Sequence, residues 1–474
     1  MLRFTAALAA CLLVAQSSSA QSYDQLGRAA QAMVAVSEPV VALTNVRVID
    51  GTGAPVREGQ TVVIENGRIT AVGPTASTRV PAGARVMDLA GHTVIPGIVG
   101  MHNHTFYTTS GRSIQANFTA PRLYLASGVT TIRTTGSMSP YSELNLKRQI
   151  DEGQAPGPRM HVTGPYISGD GAGSGMYAVA TPEDARRVVR YWASEGATWF
   201  KFYTLISRDE MKAAIDEAHR LGVKLTGHLC SVGYREAVEL GIDALEHGLF
   251  ANAEYDPNKQ PDQCPQTAGA SLANVDINSS DVQQTIRTMV DNNVAMTSTL
   301  AVYELFVPNR PQELDQRMLD AMSAETREEY LETRRRIAEN PQAGIAPEVF
   351  RKAMEFERAF VEAGGLLAAG VDPTGNGGAL PGFGDQRNLE LLVEAGFDVP
   401  QAIRIMTLNG AIALGVDDEL GSVEVGKIAD LAVVRGNPAA DPKELRNTTL
   451  VFKDGVGYDS AKLIESVKGA VGIR

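Results

Sequence analysis

Two histidines one residue apart close the apolar run VIPGIVGMHNH, residues 94–104. Successive side chains alternate across an extended strand, so His102 and His104 fall on one side and can grip one cation, while Asn103 turns away. An HxH recurs by chance and carries little weight without partners farther along the chain. Such partners lie in later strand-like runs: Lys201 and Tyr203 in WFKFY, His228 in KLTGHL, His247 in ALEHGL and Asp372 in LLAAGVDP. Four imidazoles and a carboxylate form a donor set suited to a divalent transition metal. Each residue taken singly has a plain structural reading, such as a core histidine or an Asp-Pro turn. Their common position at strand ends carries the inference.

The elements that would bring them together follow from periodicity. After the HxH strand, apolar runs at 129–136, 159–168, 199–203, 224–229, 244–249, 294–300 and 366–373 alternate with helix-like stretches. Alternation of this kind predicts parallel pairing, and eight units predict a closed ring with its chemistry at the C-terminal strand ends. On the fourth run Trp199, Lys201 and Tyr203 share a face. One connecting helix is legible in detail: Ser207 and Glu210 form a capping box, Met211, Ile215 and Ala218 share an apolar face, and Gly222 stops the helix. His219 on that helix reads as a surface or packing residue. Two long polar segments, 250–293 and 303–365, follow the sixth and seventh strands, where lids and specificity elements sit.

Short strands also fill 40–95, with Asn66-Gly67 as a hairpin signal and another strand over 86–94, and read as a small antiparallel sheet; they return over 421–457. The sequence therefore predicts an α/β chain made of a (β/α)8 TIM-like barrel over 96–415 and a small β-sandwich domain formed from both chain ends, 40–95 and 416–474. A linker is expected over 21–39.

At 474 residues, 44% hydrophobic and 21% charged, the composition is that of an ordinary globular protein. A net charge of -12 without a basic run gives no nucleic-acid footprint. Residues 1–20 read as a signal peptide: Arg3, an apolar stretch, then Ser18-Ser19-Ala20. Secretion or export to the periplasm is expected. Leu8-Ala9-Ala10-Cys11 is a weaker, competing lipoprotein box, and no other run is long enough for a membrane span. Beyond the leader, Cys230 and Cys264 remain. Pairing them would tie the 250–293 segment to the rim beside His228; the sequence leaves that open.

Taken together, HxH on the first strand, Lys on the fourth, His on the fifth and sixth and Asp on the eighth resemble the pattern of the amidohydrolase superfamily. DLAGHTVIPGIVGMHNH is similar to its entry into the first strand, and MTLNGAIALGVDDELGSVEVGKIADLAVVRGNP to its C-terminal signature. KFYTLISRDEMKAAIDEAHRLGVKLTGHL resembles the Xaa-Pro-dipeptidase and imidazolonepropionase-like branch. The resemblance implies two divalent metal ions, most often Zn2+. His102, His104 and Asp372 would hold the more buried ion and His228 and His247 the more exposed one. Lys201, carboxylated by CO2 to a carbamate, would join them, because a free ammonium repels cations. It further implies hydrolysis of C–N (amide or peptide) bonds in small substrates such as dipeptides or N-acyl amino acids. A metal-bridging hydroxide would attack, Asp372 would shuttle the proton, and Tyr203 would donate to the developing oxyanion.

This chain departs from the branch in two places. The glycine-rich loop 168–175 lacks the histidine often found after the third strand, and Gln386-Arg387-Asn388-Leu389 stands where His-x-Glu-Leu is frequent. Both changes concern the substrate side, where Arg387 is a candidate clamp for a substrate carboxylate. The same metals would serve a cyclic-amide hydrolase, a lactonase or an aromatic-amide hydrolase. From another class, the rival is a binding protein on the same fold, which the six filled ligand positions disfavour. The partners expected are a small-molecule substrate and further copies of the chain as a homo-oligomer.

Overall fold

The apolar runs become parallel strands in the computed structural model, which describes residues 20–375 and 378–472; the run at 159–168 breaks in two, and with its longer piece there are eight main strands. They are β1 (Ile98–Asn103), β2 (Val129–Thr134), β3 (Thr163–Ser168), β4 (Trp199–Phe202), β5 (Lys224–Gly227), β6 (Ala244–Glu246), β7 (Ala295–Ser298) and β8 (Leu367–Ala369). Nearly every residue of these strands is buried, as expected of strands with no solvated face. Hydrogen bonding divides them into two parallel sheets. Strands β3 to β8 pair in sequence order, and β2 pairs with β1 on one side and the short strand Arg159–His161 on the other. The sheets adjoin at both edges. Ser137 N donates to Gly164 O at 3.1 Å, and Asp372 N donates to His102 O at 2.8 Å.

The connecting helix Arg208–Arg220 forms as its sequence predicts. Ser207 Oγ accepts from Glu210 N, the Glu210 carboxylate accepts from Ser207 N, and Gly222 leaves the helix at φ +71°. His219 pairs with Asp243 at 3.1 Å on the surface.

Both chain ends enter one further sheet of nine strands. Val40–Val48 pairs antiparallel with Arg57–Glu65, which turns through Asn66-Gly67 into Arg68–Pro74. From the far end of the chain, Leu431–Arg435 pairs with His92–Pro96, and Thr448–Lys453 and Val456–Asp459 follow. The strands are joined in one continuous hydrogen-bonded order, and those from both chain ends share a core that includes Val62, Ile64, Val433 and Phe452. Two expectations are corrected here. The strand read across 86–94 is two, Arg85–Asp88 and His92–Pro96, and both run parallel to Val40–Val48, so the sheet is mixed. Finally, the 21–39 segment is no linker: Val34–Val36 pairs with Val456–Asp459, and Leu26 and Ala30 are buried against Leu125, Val451 and Leu463. The predicted signal peptide lies, apart from Ala20, outside the described residues. No helix among the described residues is long and apolar enough to cross a membrane.

An ion-pair junction fixes the nine-stranded sheet against the parallel strands. Arg159 reaches Asp430 at 2.9 Å and Asp454 at 2.7 Å, and both carboxylates are nearly buried. Elsewhere a carboxyl group is buried with little compensation. Glu357 lies on the inward face of the helix Pro347–Glu362 between Phe356 and Phe360, 2% exposed. Burial raises its pKa to about 8, opposed only by the Ser298 hydroxyl. The folded protein therefore holds a proton that the unfolded chain releases above its ordinary value of 4.5. This residue's contribution is full below that value and is lost as pH rises toward about 8. Glu357→Gln should match the parent in thermal stability near pH 4 and exceed it above about pH 8. Melting temperatures followed across that range check this; parallel curves for the two proteins would contradict it.

Candidate metal centre

Strand ends β1, β4, β5, β6 and β8 deliver the predicted residues to one place, and the local backbone is braced to hold them. Tyr124 Oη donates to His104 O at 2.8 Å and accepts from His104 N at 3.1 Å. Tyr234 Oη sits 2.7 Å from Glu246 O and 2.8 Å from Gly248 O, bracing the residues on either side of His247. Gly370 must be glycine, because a Cβ there would lie 2.2 Å from His102 N. His247 at φ +68° and Asp372 at φ +50° are both left-handed, a conformation that side-chain-bearing residues adopt at a cost. That two of the predicted ligands share it points to a site maintained for function.

The side chains converge. His104 Nε2 lies 3.1 Å and His102 Nε2 3.5 Å from Asp372 Oδ1, and Lys201 Nζ lies 3.0 Å from His102 Nε2. The His247 ring sits 4.5 Å from that of His102 and 4.4 Å from that of His228, and Tyr203 packs on His228 at 4.8 Å. One ligand atom each from His102, His247 and Asp372 lie within 4.8 Å of one another. Arg387 is not brought to this cluster. Its guanidinium pairs with Glu304 at 2.7 and 2.9 Å and with Glu390, a structural ion pair away from the cavity that Lys201 lines. Its neighbour Asn388 donates to Gly370 O at 2.6 Å and so positions β8.

Burial sets the protonation states. It depresses the histidines, His228 to about 3 and His102 and His247 well below the usual imidazole value, with Lys201 adding repulsion in each case. The rings are therefore neutral and able to ligate. Burial also lowers Lys201 to about 8, against the opposing pull of Asp372 and Glu246. Burial would raise Asp372, but His102, His104 and Lys201 together hold it well below the carboxylate range, so it is ionised. Tyr203 is pushed up to about 12 by burial and by Asp372, and stays a hydroxyl donor.

Glu246 is the important residue that the sequence reading passed over. Fully buried, it accepts from His102 Nδ1 at 2.7 Å and also holds Arg133 and Thr226. With the Nδ1 proton committed to Glu246, the Nε2 lone pair of His102 faces the cluster. Thr299 Oγ1 occupies Nδ1 of His247 in the same way at 2.7 Å, and His247 Nε2 is buried with no hydrogen-bond partner among the described residues. A signal was present in the sequence: VTTIRTTG and ALEHGL each carry one charge of opposite sign inside a run otherwise fit for full burial.

These observations fit divalent cations. The His102 ring presents a lone pair inward, an ionised carboxylate lies beside it, and two ring nitrogens, His104 Nδ1 and His247 Nε2, are left without a hydrogen-bond partner among the described residues. If Glu246 orients His102, Glu246→Gln should lower the affinity for Zn2+ about 10- to 100-fold in competition with a chelator. Unchanged affinity in a folded variant would remove Glu246 from that role.

The chain was compared with known proteins. The amidohydrolase family model matches residues 93–457. A search of curated proteins by sequence returned no match. Among solved structures, a protein assigned as a prolidase from Bifidobacterium longum is 27% identical at a TM-score of 0.66, covering 91% of this chain and 100% of its own. A Xaa-Pro dipeptidase with methionine bound in its active site is 22% identical at 0.66, covering 89% and 100%. A molinate hydrolase is 20% identical at 0.65, covering 92% and 98%. The last two show a shared fold, and the first two are prolidase- or Xaa-Pro-dipeptidase-like amidohydrolases. With three quarters of its length matched by one family model and the ligand-bearing strands inside that match, the chain belongs to the amidohydrolase family, whose members are metal-dependent hydrolases acting on C–N bonds.

Proposed function

We propose that this protein hydrolyses the amide bonds of small molecules at the cluster His102, His104, Lys201, His228, His247 and Asp372. In this reading the two parallel sheets are halves of one (β/α)8 barrel. The contacts at both of their edges support it, as does the placement of the ligands at C-terminal strand ends. The observation that carries the proposal is the convergence of donor atoms: one ligand atom each from His102, His247 and Asp372 lie within 4.8 Å of one another, His104 Nε2 is 3.1 Å from Asp372 Oδ1, and Lys201 Nζ is 3.0 Å from His102 Nε2.

His102, His104 and Asp372 would hold one cation and His228 and His247 another. Lys201 would lie between them as a carbamate, since its depressed pKa favours the free amine that reacts with CO2. When bound, such ions polarise a carbonyl and lower the pKa of water. The chain's own residues do the rest. Asp372, ionised beside His104, accepts the proton released as water adds to the carbonyl and returns it to the departing amine nitrogen, which cannot leave as an anion. Tyr203, a donor at every physiological pH, supplies a hydrogen bond to the oxygen that gains charge. Tyr166, Tyr303 and the hairpin Phe106–Gln115 wall the cavity and limit water.

We propose also that the mature chain is exported. The composition of residues 1–20 supports this, as does the disulfide between Cys230 and Cys264, a bond suited to an oxidising compartment.

Asp372→Asn keeps the shape of the side chain and removes its basicity. Turnover of small amides should fall about 10²- to 10⁴-fold. Chelation should abolish activity in the parent, and Zn2+ should restore it. Steady-state rates before and after dialysis against a chelator, with metal content measured in parallel, decide this. Full activity in metal-free protein, or in Asp372→Asn, would overturn the proposal.

A further inference from the structure

A substrate whose scissile carbonyl reaches Lys201 and Asp372 must place its flanking groups in the adjoining cavity of about 230 Å³. That cavity is walled by rings: Phe106, Tyr166, Tyr203, Tyr303 and Phe306. Met138 and Met176 complete the wall toward the mouth. The rings are held by their neighbours rather than by solvent. Tyr303 stacks on Phe250 at 3.9 Å with planes 10° apart, Tyr166 and Tyr203 meet edge to face at 5.5 Å, and Phe106 packs on His104 at 4.8 Å. A rigid slot lined by aromatic faces and thioethers rewards a flat apolar group.

The same wall offers a second anion hydroxyls, those of Thr108, Ser113, Thr374 and the tyrosines, but no counter-charge of its own. Among the described residues that line it, Lys201 is the one cationic side chain, and it belongs to the ligand cluster. Arg387, the expected clamp, and its neighbours Arg310 and Arg446 are committed elsewhere. Arg387 pairs with Glu304 and Glu390, Arg310 with Glu304 and Glu394, and Arg446 with Glu390. Those groups line separate cavities. A carboxylate seated against the rings, away from the ligand cluster, would exchange its hydration for hydroxyl donors alone.

Resting on the hydrolase reading above, we infer that this site takes amides whose flanking group is an uncharged aromatic ring, and that it discriminates against a carboxylate beside the scissile bond. This reverses the expectation of a carboxylate clamp at Arg387. Tyr303 adds selectivity as a neutral donor: its hydroxyl suits a carbonyl, ether or phenol oxygen on the ring-bearing group.

The test uses the zinc-loaded wild-type protein and two matched sets of probes. In the first set, hydrolytically inert sulfonamides report binding alone by calorimetry: N-phenethyl methanesulfonamide, the same molecule with a carboxylate on the carbon beside nitrogen (N-mesyl-phenylalanine), and N-ethyl methanesulfonamide. The neutral aromatic probe should bind about tenfold or more tighter than its carboxylate twin. Removing the ring should cost about thirtyfold. The corresponding acetamides, N-acetyl-phenethylamine and N-acetyl-phenylalanine, read kcat/KM and should show the same order. Equal binding of the twins, tighter binding of the carboxylate, or no binding by any probe overturns the inference. If the sulfonamides rank as stated while no acetamide is cleaved, the hydrolase reading fails and the pocket assignment stands. Phe306→Arg, at the mouth, should raise affinity for the carboxylate probe and narrow or invert the preference. Met138→Arg serves if the first variant does not fold, and no gain in carboxylate affinity in a folded variant counts against the assignment.

Discussion

Everything at the site depends on keeping six polar side chains out of water while their donor atoms face one another. Burying them is costly unless each is neutral or matched by an opposite charge. The chain meets that constraint with neutral rings and one buried ion pair. Arg133 and Glu246 balance each other in the interior. Glu246 serves the cluster as well, because the carboxylate that neutralises Arg133 also fixes the proton on His102. Arg133 in turn stacks its guanidinium over Trp199 at 4.5 Å, at the base of the strand that carries Lys201. Orientation of the ligands and charge balance of the core are therefore one problem with one solution.

The backbone carries a second part of the cost. Strand β8 approaches β1 so closely at Gly370 that no side chain fits, and only there can Asp372 N reach His102 O. The left-handed turns at His247 and Asp372 swing their side chains inward instead of letting the strands continue. Such strain persists only where the surroundings over-determine it. Tyr234 on the backbone about His247, and Asn103 and Asn388 on that about Gly370, do this.

Much of this was legible in the residues, for a physical reason. A strand's two-residue period, and the rule that parallel units expose chemistry at their C-terminal ends, depend on local sequence alone, so His102, His104, Lys201, His228, His247 and Asp372 could be aligned without coordinates. What escaped depends on distant partners. Arg387 looked free because Glu304, its counter-charge, is 83 residues away. Glu246 looked like an ordinary strand residue until Arg133 arrived from four strands earlier. The 21–39 segment lacks a clear period because it is held by a tail strand more than 400 residues later, in Val456–Asp459. The pairing of Cys230 with Cys264 was posed by the sequence as an open question, and the structure forms the bond.

The insertions then explain how a fixed centre acquires a particular mouth. The hairpin Phe106–Gln115 grows directly from the HxH strand, and its tip is clasped by Glu325 and Glu329 of the helix Ala324–Glu339: Ser110 N donates to Glu329 at 2.9 Å and Ser110 Oγ to Glu325 at 2.9 Å. That insertion is itself fastened by the chain terminus, where Ser323 N donates to Val471 O and Gly469 N to Asp320 O, each at 2.8 Å. On the opposite rim the disulfide ties the 250–293 segment to the residue two beyond His228. None of these clasps touches a ligand atom, yet they set where Phe106, Tyr303 and Phe306 stand. Changes in the insertions can therefore reshape the cavity wall without disturbing the charge balance beneath it.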